Sequence, residues 1–502
     1  MCEVLCFCAT TILALINQKY YRPPQSELNN PNIYPKRSFY GIKAIQPDDW
    51  KIEDLTGNGV GGKAPCSSGE VEYDGYCFIP ALDAKIKMYS DKQFMITGIL
   101  IVPPAWARKK NTNCKQANQN FCAPDDSKVF GRFAGFLASR YNGKNNVGRI
   151  VEFVIMNEVN AAEWYNVGCG NGKTCDIDHW VKHYSQVYSS AYDQIKKHQP
   201  QAPVLISLEH HFDSIFDKYV SAASPFMSGR TFLTKFASQI GNRDWSVAFH
   251  SYPPSLLRAE FDTNDWPKIT FGNVNRLVGW LMQTFPNKPS TWKVYLTENG
   301  INSLKPHSDE NKQHDQLCKA FQNILATPNI ELFIYHRLKD HPGETKDGLG
   351  LGLVTDQGQY KRAWSLWALV NRYDVGKLSC GFELLPYVSL KRANHPTNGH
   401  WTTTRILPNG YKLERQWKLF REQQPGTKLI FECQRTGDMR NFPSVNQNCE
   451  KQDALGPLGY IYNDKKDNTS PVYRCRKDSD YFISPDSKCE GATNEGLLGY
   501  AL

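Results

Sequence analysis

Short apolar segments alternate with longer amphipathic segments over most of the chain. The apolar segments are rich in β-branched residues, which is typical of strands buried on both faces. In the amphipathic segments apolar residues recur at the spacing of one helix face. The pattern predicts strands over 94–102, 150–156, 204–208, 245–250, 292–297 and 330–335, and helices over 129–141, 180–195, 271–285, 314–325 and 363–373.

This alternation indicates parallel strands joined by crossover helices, and therefore an α/β fold. An open doubly wound sheet and a closed (β/α)8 barrel both satisfy it. The sequence has no G-x-G-x-x-G or Walker A loop, so the nucleotide-site argument for an open sheet is missing. We therefore predict a (β/α)8 TIM barrel over residues 20–375. An early strand at 39–45 gives seven strands, and we expect the eighth within 50–80.

From about residue 376 the pattern changes to short segments separated by turn residues, which predicts a smaller β-rich domain over 376–502. It contains an internal repeat at about 428–461 and 471–502, in which Cys433 and Cys475 are 42 residues apart and Cys449 and Cys489 are 40 apart. The repeat is similar to small modules appended to secreted hydrolases. A polymer-binding role and a stabilising role both remain open.

The N-terminus and the cysteines indicate export. Val4 to Ile16 form an apolar run of 13 residues, the length of a secretory signal core, so we predict a signal peptide over 1–19; a buried N-terminal element is the alternative. Twelve of the 15 cysteines lie beyond it, and zinc is disfavoured because no tight C-x2-C pair occurs. The simplest scheme joins neighbours in a secreted protein: Cys66–Cys77, Cys114–Cys122, Cys169–Cys175, Cys433–Cys449, Cys475–Cys489 and the remaining Cys318–Cys380.

Composition and charge exclude several classes of protein. The hydrophobic fraction is 40%, which excludes wholesale disorder. The sequence contains no apolar run of about 18 residues or more, which is the length that a membrane-spanning helix requires. The net charge of +9 is spread along the chain, whereas a nucleic-acid binder would more often concentrate it. It indicates a mildly basic surface, or alternatively affinity for an acidic polymer.

Two strand ends carry the candidate chemistry. Asn157-Glu158 follows the strand at 150–156, and Glu298 follows the strand at 292–297. In a barrel these ends meet at one face, where side chains converge on substrate. Two carboxylates in one cleft can hydrolyse a glycosidic bond, one as acid and the other as nucleophile or base. Asn157 could hold a sugar hydroxyl near the scissile bond.

These motifs, in this order and spacing, resemble the clan A glycoside hydrolases, which are retaining enzymes on a (β/α)8 barrel. The resemblance implies that Glu158, ending strand four, is the acid/base and that Glu298, ending strand seven, is the nucleophile. It also implies support from His250 and Tyr252 at the end of strand six. The implied function is secreted hydrolysis of a β-linked poly- or oligosaccharide, without a cofactor, by a monomer.

Further residues are candidates for binding the sugar. Trp106 and Trp164 could stack on it, and His210 and His336 could line the cleft. Val159 and His336 depart from the clan, which often has Pro and Trp there. A metal held by His210, His211, His250, His336 and His341 is a weaker alternative, because no H-E-x-x-H spacing occurs. A barrel that binds carbohydrate without catalysis, and a transglycosylase, are the rival functions.

Overall fold

A parallel sheet of seven strands forms the centre of the protein. The computed structural model describes residues 23–35, 45–47, 60–63, 66, 68–73, 76–78, 80–103, 105–108, 114, 121–169, 174–214, 226–370 and 387–502. The strands of this sheet are β1 Ile45–Pro47, β5 Ile96–Leu100, β6 Ile150–Ile155, β7 Val204–Leu208, β8 Ser246–Phe249, β9 Val294–Asn299 and β10 Ile330–Tyr335. The strand order is β1-β10-β9-β8-β7-β6-β5, and every pair is parallel.

The two faces of this sheet bury different cores. Side chains alternate between the faces of a strand. One face carries a compact apolar cluster that includes Val154, Leu205 and Ala248. The other face packs on the helices through a much larger cluster that includes Phe153 and Ile206. A parallel sheet covered on one face by helices and filled on the other is the arrangement of a TIM barrel, and the predicted fold class is confirmed.

The helices cover the sheet between successive strands. Asp126, Asp176, Ser228 and Asp309 cap four of them by accepting hydrogen bonds from first-turn amides. The bounds are Gln25–Leu28, Pro80–Asp91, Ala105–Arg108, Ser127–Arg140, Ile177–His198, Gly229–Ala237, Asn275–Thr284, Glu310–Ala326, Pro342–Lys346 and Arg362–Val370. The pattern missed the helices at 80–91 and 229–237, and the predicted helix over 271–285 begins four residues later than expected.

The region expected to supply the eighth barrel strand has another structure where it is described. Strands β2 (Val60–Lys63), β3 (Val71–Tyr73) and β4 (Tyr76–Phe78) form a separate antiparallel sheet. The described part of 50–80 contributes no strand to the parallel sheet. Glycines and short segments flanked by turns favour local hairpin pairing here. The prediction of an eighth barrel strand rested on the alternation of strands and helices elsewhere in the chain, which carries no information about such local pairing.

An N-terminal segment is held against the barrel by one buried arginine. Arg149, which precedes β6, donates to the carbonyl oxygens of Asn30 at 2.7 Å and Ile33 at 2.9 Å. Burial lowers the pKa of Arg149 to about 10. The OH of Tyr34, in the same segment, donates a short hydrogen bond to the buried carboxylate of Glu152 on β6. The predicted signal peptide lies outside the described residues, and no described helix is long and apolar enough to cross a membrane.

Over residues 387–502 the C-terminal region consists of nine antiparallel strands in three hairpin units. In each unit the first strand pairs with both of the others. The third strands pair in a closed cycle, through Phe420–Tyr460, Tyr462–Tyr500 and mutual backbone bonds between Lys418 and Leu502. The units are β11–β13 (Tyr387–His395, Gly399–Thr403, Lys412–Phe420), β14–β16 (Thr427–Gln434, Asn441–Ser444, Asp453–Tyr462) and β17–β19 (Ser470–Lys477, Asp480–Ser484, Thr493–Ala501).

The middle unit packs on the barrel helix Asn275–Thr284. Gly279 of the helix and Gly456 of β16 approach so closely that a Cβ on Gly279 would lie 2.8 Å from the nitrogen of Gly456. Polar contacts flank this point, with Arg276 donating to Gln434 at 2.8 Å and Gln447 donating to the carbonyl of Met282 at 2.7 Å. The barrel core therefore continues into the C-terminal region, with Phe431 and Phe442 in the same apolar cluster.

Where both cysteines are described, five disulfides join neighbours along the chain. Cys318 is also disulfide-bonded, and Cys380, its expected partner, lies outside the described residues. Two of the five close the second and third hairpin units at equivalent positions; the first unit has Ala393 where the others have Cys433 and Cys475. The pairs are Cys66–Cys77, Cys114–Cys122, Cys169–Cys175, Cys433–Cys449 and Cys475–Cys489.

Candidate active site

The ends of β6 and β9 bring two carboxylates together. One oxygen of Glu158, one oxygen of Glu298 and one ring nitrogen of His250 all lie within 4.8 Å of one another. Glu158 has a φ of 39°, in the left-handed region that side chains other than glycine rarely adopt. Such conformations cluster at functional sites, where the surrounding structure holds them. Both carboxylates are only partly exposed.

Glu298 is oriented by the neighbouring strand. The hydroxyl of Tyr252, three residues beyond β8, donates to Glu298 Oε1 at 2.9 Å. Asn299, the next residue after Glu298, accepts hydrogen bonds from the backbone nitrogen and the hydroxyl of Ser251, both at 2.9 Å. These bonds join the ends of β8 and β9 side by side. The carboxylate of Glu298 is therefore held in one orientation, which is how a protein positions a reacting group.

Glu158 is held from two directions. His250 Nδ1 lies 2.6 Å from Glu158 Oε1, and the backbone nitrogen of Glu158 donates to Ser207 Oγ at 3.0 Å. His250 Nε2 lies 3.5 Å from the same Ser207 Oγ. His250 and Ser207 are fully buried at the ends of β8 and β7. Sequence reasoning found His250, but it did not single out Ser207.

The pKa of Glu158 is raised above the ordinary value of a glutamate. Burial is the largest cause, and the negative charges of Glu298 and Glu209 act in the same direction. The hydrogen bond with His250 opposes them without reversing the shift. A carboxyl group that keeps its proton more readily than usual can serve as a general acid near neutral pH.

A third carboxylate, Glu209, lies beside this pair and was missed by sequence reasoning. It directly follows β7 and is buried, with Oε1 accepting from Asn160 at 2.8 Å and Oε2 accepting from the backbone of His211 at 2.9 Å. Burial alone would raise the pKa of Glu209, but the hydrogen bonds and charge of His211 outweigh it and lower the pKa. Its position at the end of a strand is the same signal that identified Glu158 and Glu298.

The two neighbouring histidines stack on each other with ring centres 4.3 Å apart. Burial lowers the pKa of His210 to about 3, so its ring is neutral. His211 Nδ1 makes a short hydrogen bond with Glu209. One oxygen of Glu209 and one ring nitrogen from each of His210 and His211 lie within 4.8 Å of one another, as metal ligands would. Hydrogen bonding accounts for the close contact of Glu209 with His211.

The other expected binding residues have mixed environments. Asn157 is buried directly before Glu158. Trp164 packs edge-on against Phe121 at 4.6 Å and against the interior apolar cluster. His336 is buried with Nε2 3.4 Å from Glu344, and the side chain of Trp106 lies outside the described residues. His341, one of the histidines of the metal alternative, instead caps the short helix at 342–346.

The fold and the site define a (β/α)-barrel protein with paired carboxylates at the carboxyl ends of its strands. The chain belongs to the family of unknown function DUF5722, whose model matches residues 71–378. No curated protein matches the sequence.

Several solved glycoside hydrolases have a distantly similar fold. A family 39 glycoside hydrolase from Bacteroides cellulosilyticus WH2 is 12% identical, with a TM-score of 0.43 over 90% of this chain and 74% of that chain. A calcium-binding mutant of Bacteroides uniformis β-glucuronidase 2 is 12% identical, with a TM-score of 0.37 over 81% and 40%. The β-glucosidase of Thermotoga maritima is 10% identical, with a TM-score of 0.36 over 58% and 77%. Similarities this low carry no argument about activity.

Proposed function

We propose that this protein is a retaining glycoside hydrolase acting on a β-linked poly- or oligosaccharide. The observation that carries the proposal is the close approach of Glu158 and Glu298 at the ends of two barrel strands, with oxygens within 4.8 Å. Retaining enzymes hold their two carboxyl groups about 5–5.5 Å apart, whereas inverting enzymes leave room for a water between them.

The roles follow from the different environments of the two carboxylates. Glu158, with its raised pKa, donates its proton to the glycosidic oxygen as the bond to the anomeric carbon breaks. Glu298, held by Tyr252, attacks that carbon and forms a glycosyl-enzyme ester. Glu158 then takes a proton from water, the water oxygen attacks the anomeric carbon, and Glu298 leaves as a carboxylate.

We also propose that the protein is exported. Five described disulfides favour an oxidising compartment, where an enzyme that degrades polymers meets its substrate. We propose that residues 1–19 direct the protein there and are removed. We also propose that the barrel domain extends over 20–375 and the β-rich domain over 376–502, and that the folded protein is a monomer.

The test is the release of reducing ends from a panel of purified β-linked polysaccharides. We expect release from one class by the wild type and a loss of at least about 1,000-fold in Glu298→Gln, whose side chain keeps its size but cannot attack. Glu310→Gln, at the start of the helix Glu310–Ala326, is the matched control and should retain full activity. Binding to a polymer without release by any variant would instead support a carbohydrate-binding protein.

A further inference from the structure

Ser207 closes a ring of hydrogen bonds that begins and ends on Glu158. The backbone nitrogen of Glu158 donates to Ser207 Oγ at 3.0 Å, and that oxygen lies 3.5 Å from His250 Nε2. On the other side of the imidazole, His250 Nδ1 lies 2.6 Å from Glu158 Oε1. Ser207 and His250 are fully buried, so the ring of bonds is shielded from bulk water.

The two neutral tautomers of His250 have different consequences for the acid proton. If the imidazole proton is on Nδ1, the ring donates to Glu158 Oε1 and the carboxyl proton occupies Oε2. If the imidazole proton is on Nε2, Nδ1 is unprotonated and accepts a hydrogen bond from the carboxyl group of Glu158. The carboxyl proton then lies on Oε1 and points at the imidazole. Only the first arrangement leaves the acid proton available to a glycosidic oxygen.

The hydroxyl of Ser207 can select between these tautomers. Its oxygen accepts the amide hydrogen of Glu158, and among the described residues His250 Nε2 is the acceptor within reach of its own hydrogen. Because Ser207 is fully buried, a tautomer in which Nε2 donates instead would leave the hydroxyl hydrogen unpaired, at a cost in free energy. A ring nitrogen that accepts this hydrogen bond cannot carry a proton in the neutral ring, so the proton is confined to Nδ1. In histidines generally, the hydrogen bond made by one ring nitrogen decides whether the other ring nitrogen carries the proton.

We propose that Ser207 is a positioning residue that keeps the His250 proton on Nδ1 and thereby the acid proton of Glu158 on Oε2. The catalytic consequence rests on the proposed function, whereas the tautomer itself does not. Ser207 would act through its hydrogen bond with His250 and not by touching the substrate.

The first test is solid-state NMR of the protein labelled with 13C,15N-histidine, compared with His250→Gln to assign one signal among the 12 histidines. At pH 7 we expect His250 to be protonated on Nδ1. A resonance protonated on Nε2, whether or not Nδ1 is protonated too, overturns the proposal, whatever the activity of the protein. This measurement needs no Ser207 variant, so it establishes the tautomer of His250 even if such a variant fails to fold.

The second test separates acid catalysis from general damage to the site. Ser207→Ala should lower kcat/KM about tenfold for substrates with poor leaving groups, which need the acid proton, and leave aryl glycosides with activated leaving groups nearly unchanged. Ser207→Thr, which keeps the hydroxyl, should restore most of the loss. Ser246→Ala is the matched control, a buried serine at the start of β8 that donates to the carbonyl of Ser290 at 2.7 Å. Equal losses on both substrate types, or none on either, contradict the proposal.

Discussion

The proton on Glu158 is governed by two carboxylates and one histidine. Burial and the charges of Glu298 and Glu209 favour the protonated acid, while His250 favours the ionised form. Glu209 stays ionised because hydrogen bonding to His211 lowers its pKa despite burial. Its negative charge is therefore a permanent part of the environment of Glu158.

Glu209→Gln should shift the alkaline limb of the pH profile of kcat/KM toward lower pH. This limb follows the loss of the acid proton of Glu158, and removing a nearby negative charge makes that proton easier to lose. We expect a shift of about one pH unit or less. Activity measured from pH 4 to 9 on the best substrate of the panel gives the shift.

Glu163→Gln is the matched control for this prediction. Burial and the charge of Glu209 also raise the pKa of Glu163, but Glu163 is not among the main causes of the shift at Glu158. Its profile should coincide with that of the wild type. An unchanged or upward-shifted limb in Glu209→Gln would show that Glu209 does not act on the catalytic acid.

At the scale of single elements, the second and third hairpin units have the same backbone conformation but different surroundings. Gly456 on β16 and Gly496 on β19 occupy equivalent positions and have φ values of 127° and 128°. A Cβ on Gly456 would lie 2.4 Å from the carbonyl oxygen of Asn275, whereas nothing lies within 4 Å of one on Gly496. The buried Leu455 of the middle unit has Glu495 as its counterpart in the third unit, where that carboxylate is ion-paired with Arg474 and Arg476. Of these two glycines, Gly456 is therefore the one that lies against the helix Asn275–Thr284.

Gly456→Ala should therefore destabilise the protein more than Gly496→Ala. Both substitutions strain a backbone that favours glycine, but only the first pushes the helix Asn275–Thr284 away. We expect the difference in the free energy of unfolding to be about 1–3 kcal/mol. Chemical denaturation of the two variants measures it, and equal losses would mean that the helix contact contributes little.

The sequence predicted the long strands of the parallel sheet, but it missed the helices at 80–91 and 229–237 and the first hairpin unit. The six apolar segments between 94 and 335 were each found as strands, because burial on both faces leaves a continuous apolar signal. The first hairpin unit was not found as a counterpart of the other two, since Ala393 stands where they have cysteines. Ser207 has no sequence signal, because its importance comes only from the three strands that meet beside it.

At the scale of the whole molecule, the barrel and the C-terminal region share one core. Phe431 and Phe442 belong to the same apolar cluster as Trp280 and Met282 of the docked barrel helix. Separating the two regions would expose this apolar surface to water, which costs about 25 cal/mol per Å². The C-terminal region therefore supports the barrel, whether or not it also binds a polymer.

Thermal unfolding should consequently follow a single transition in calorimetry. Shared apolar burial couples the unfolding of the two regions, because neither can lose the interface without exposing the core of the other. Gly456→Ala should lower the temperature of that transition, and Gly496→Ala should lower it less. Two well-separated transitions in the wild type would show that the regions fold independently.

The anomeric form of the first product tests the paired carboxylates most directly. Proton NMR during hydrolysis of the best β-linked substrate distinguishes the newly formed α and β anomers before they equilibrate. Two carboxylates this close predict double displacement and therefore the β anomer first. Initial release of the α anomer would show that water attacks directly, and it would contradict the assignment of Glu298 as the nucleophile.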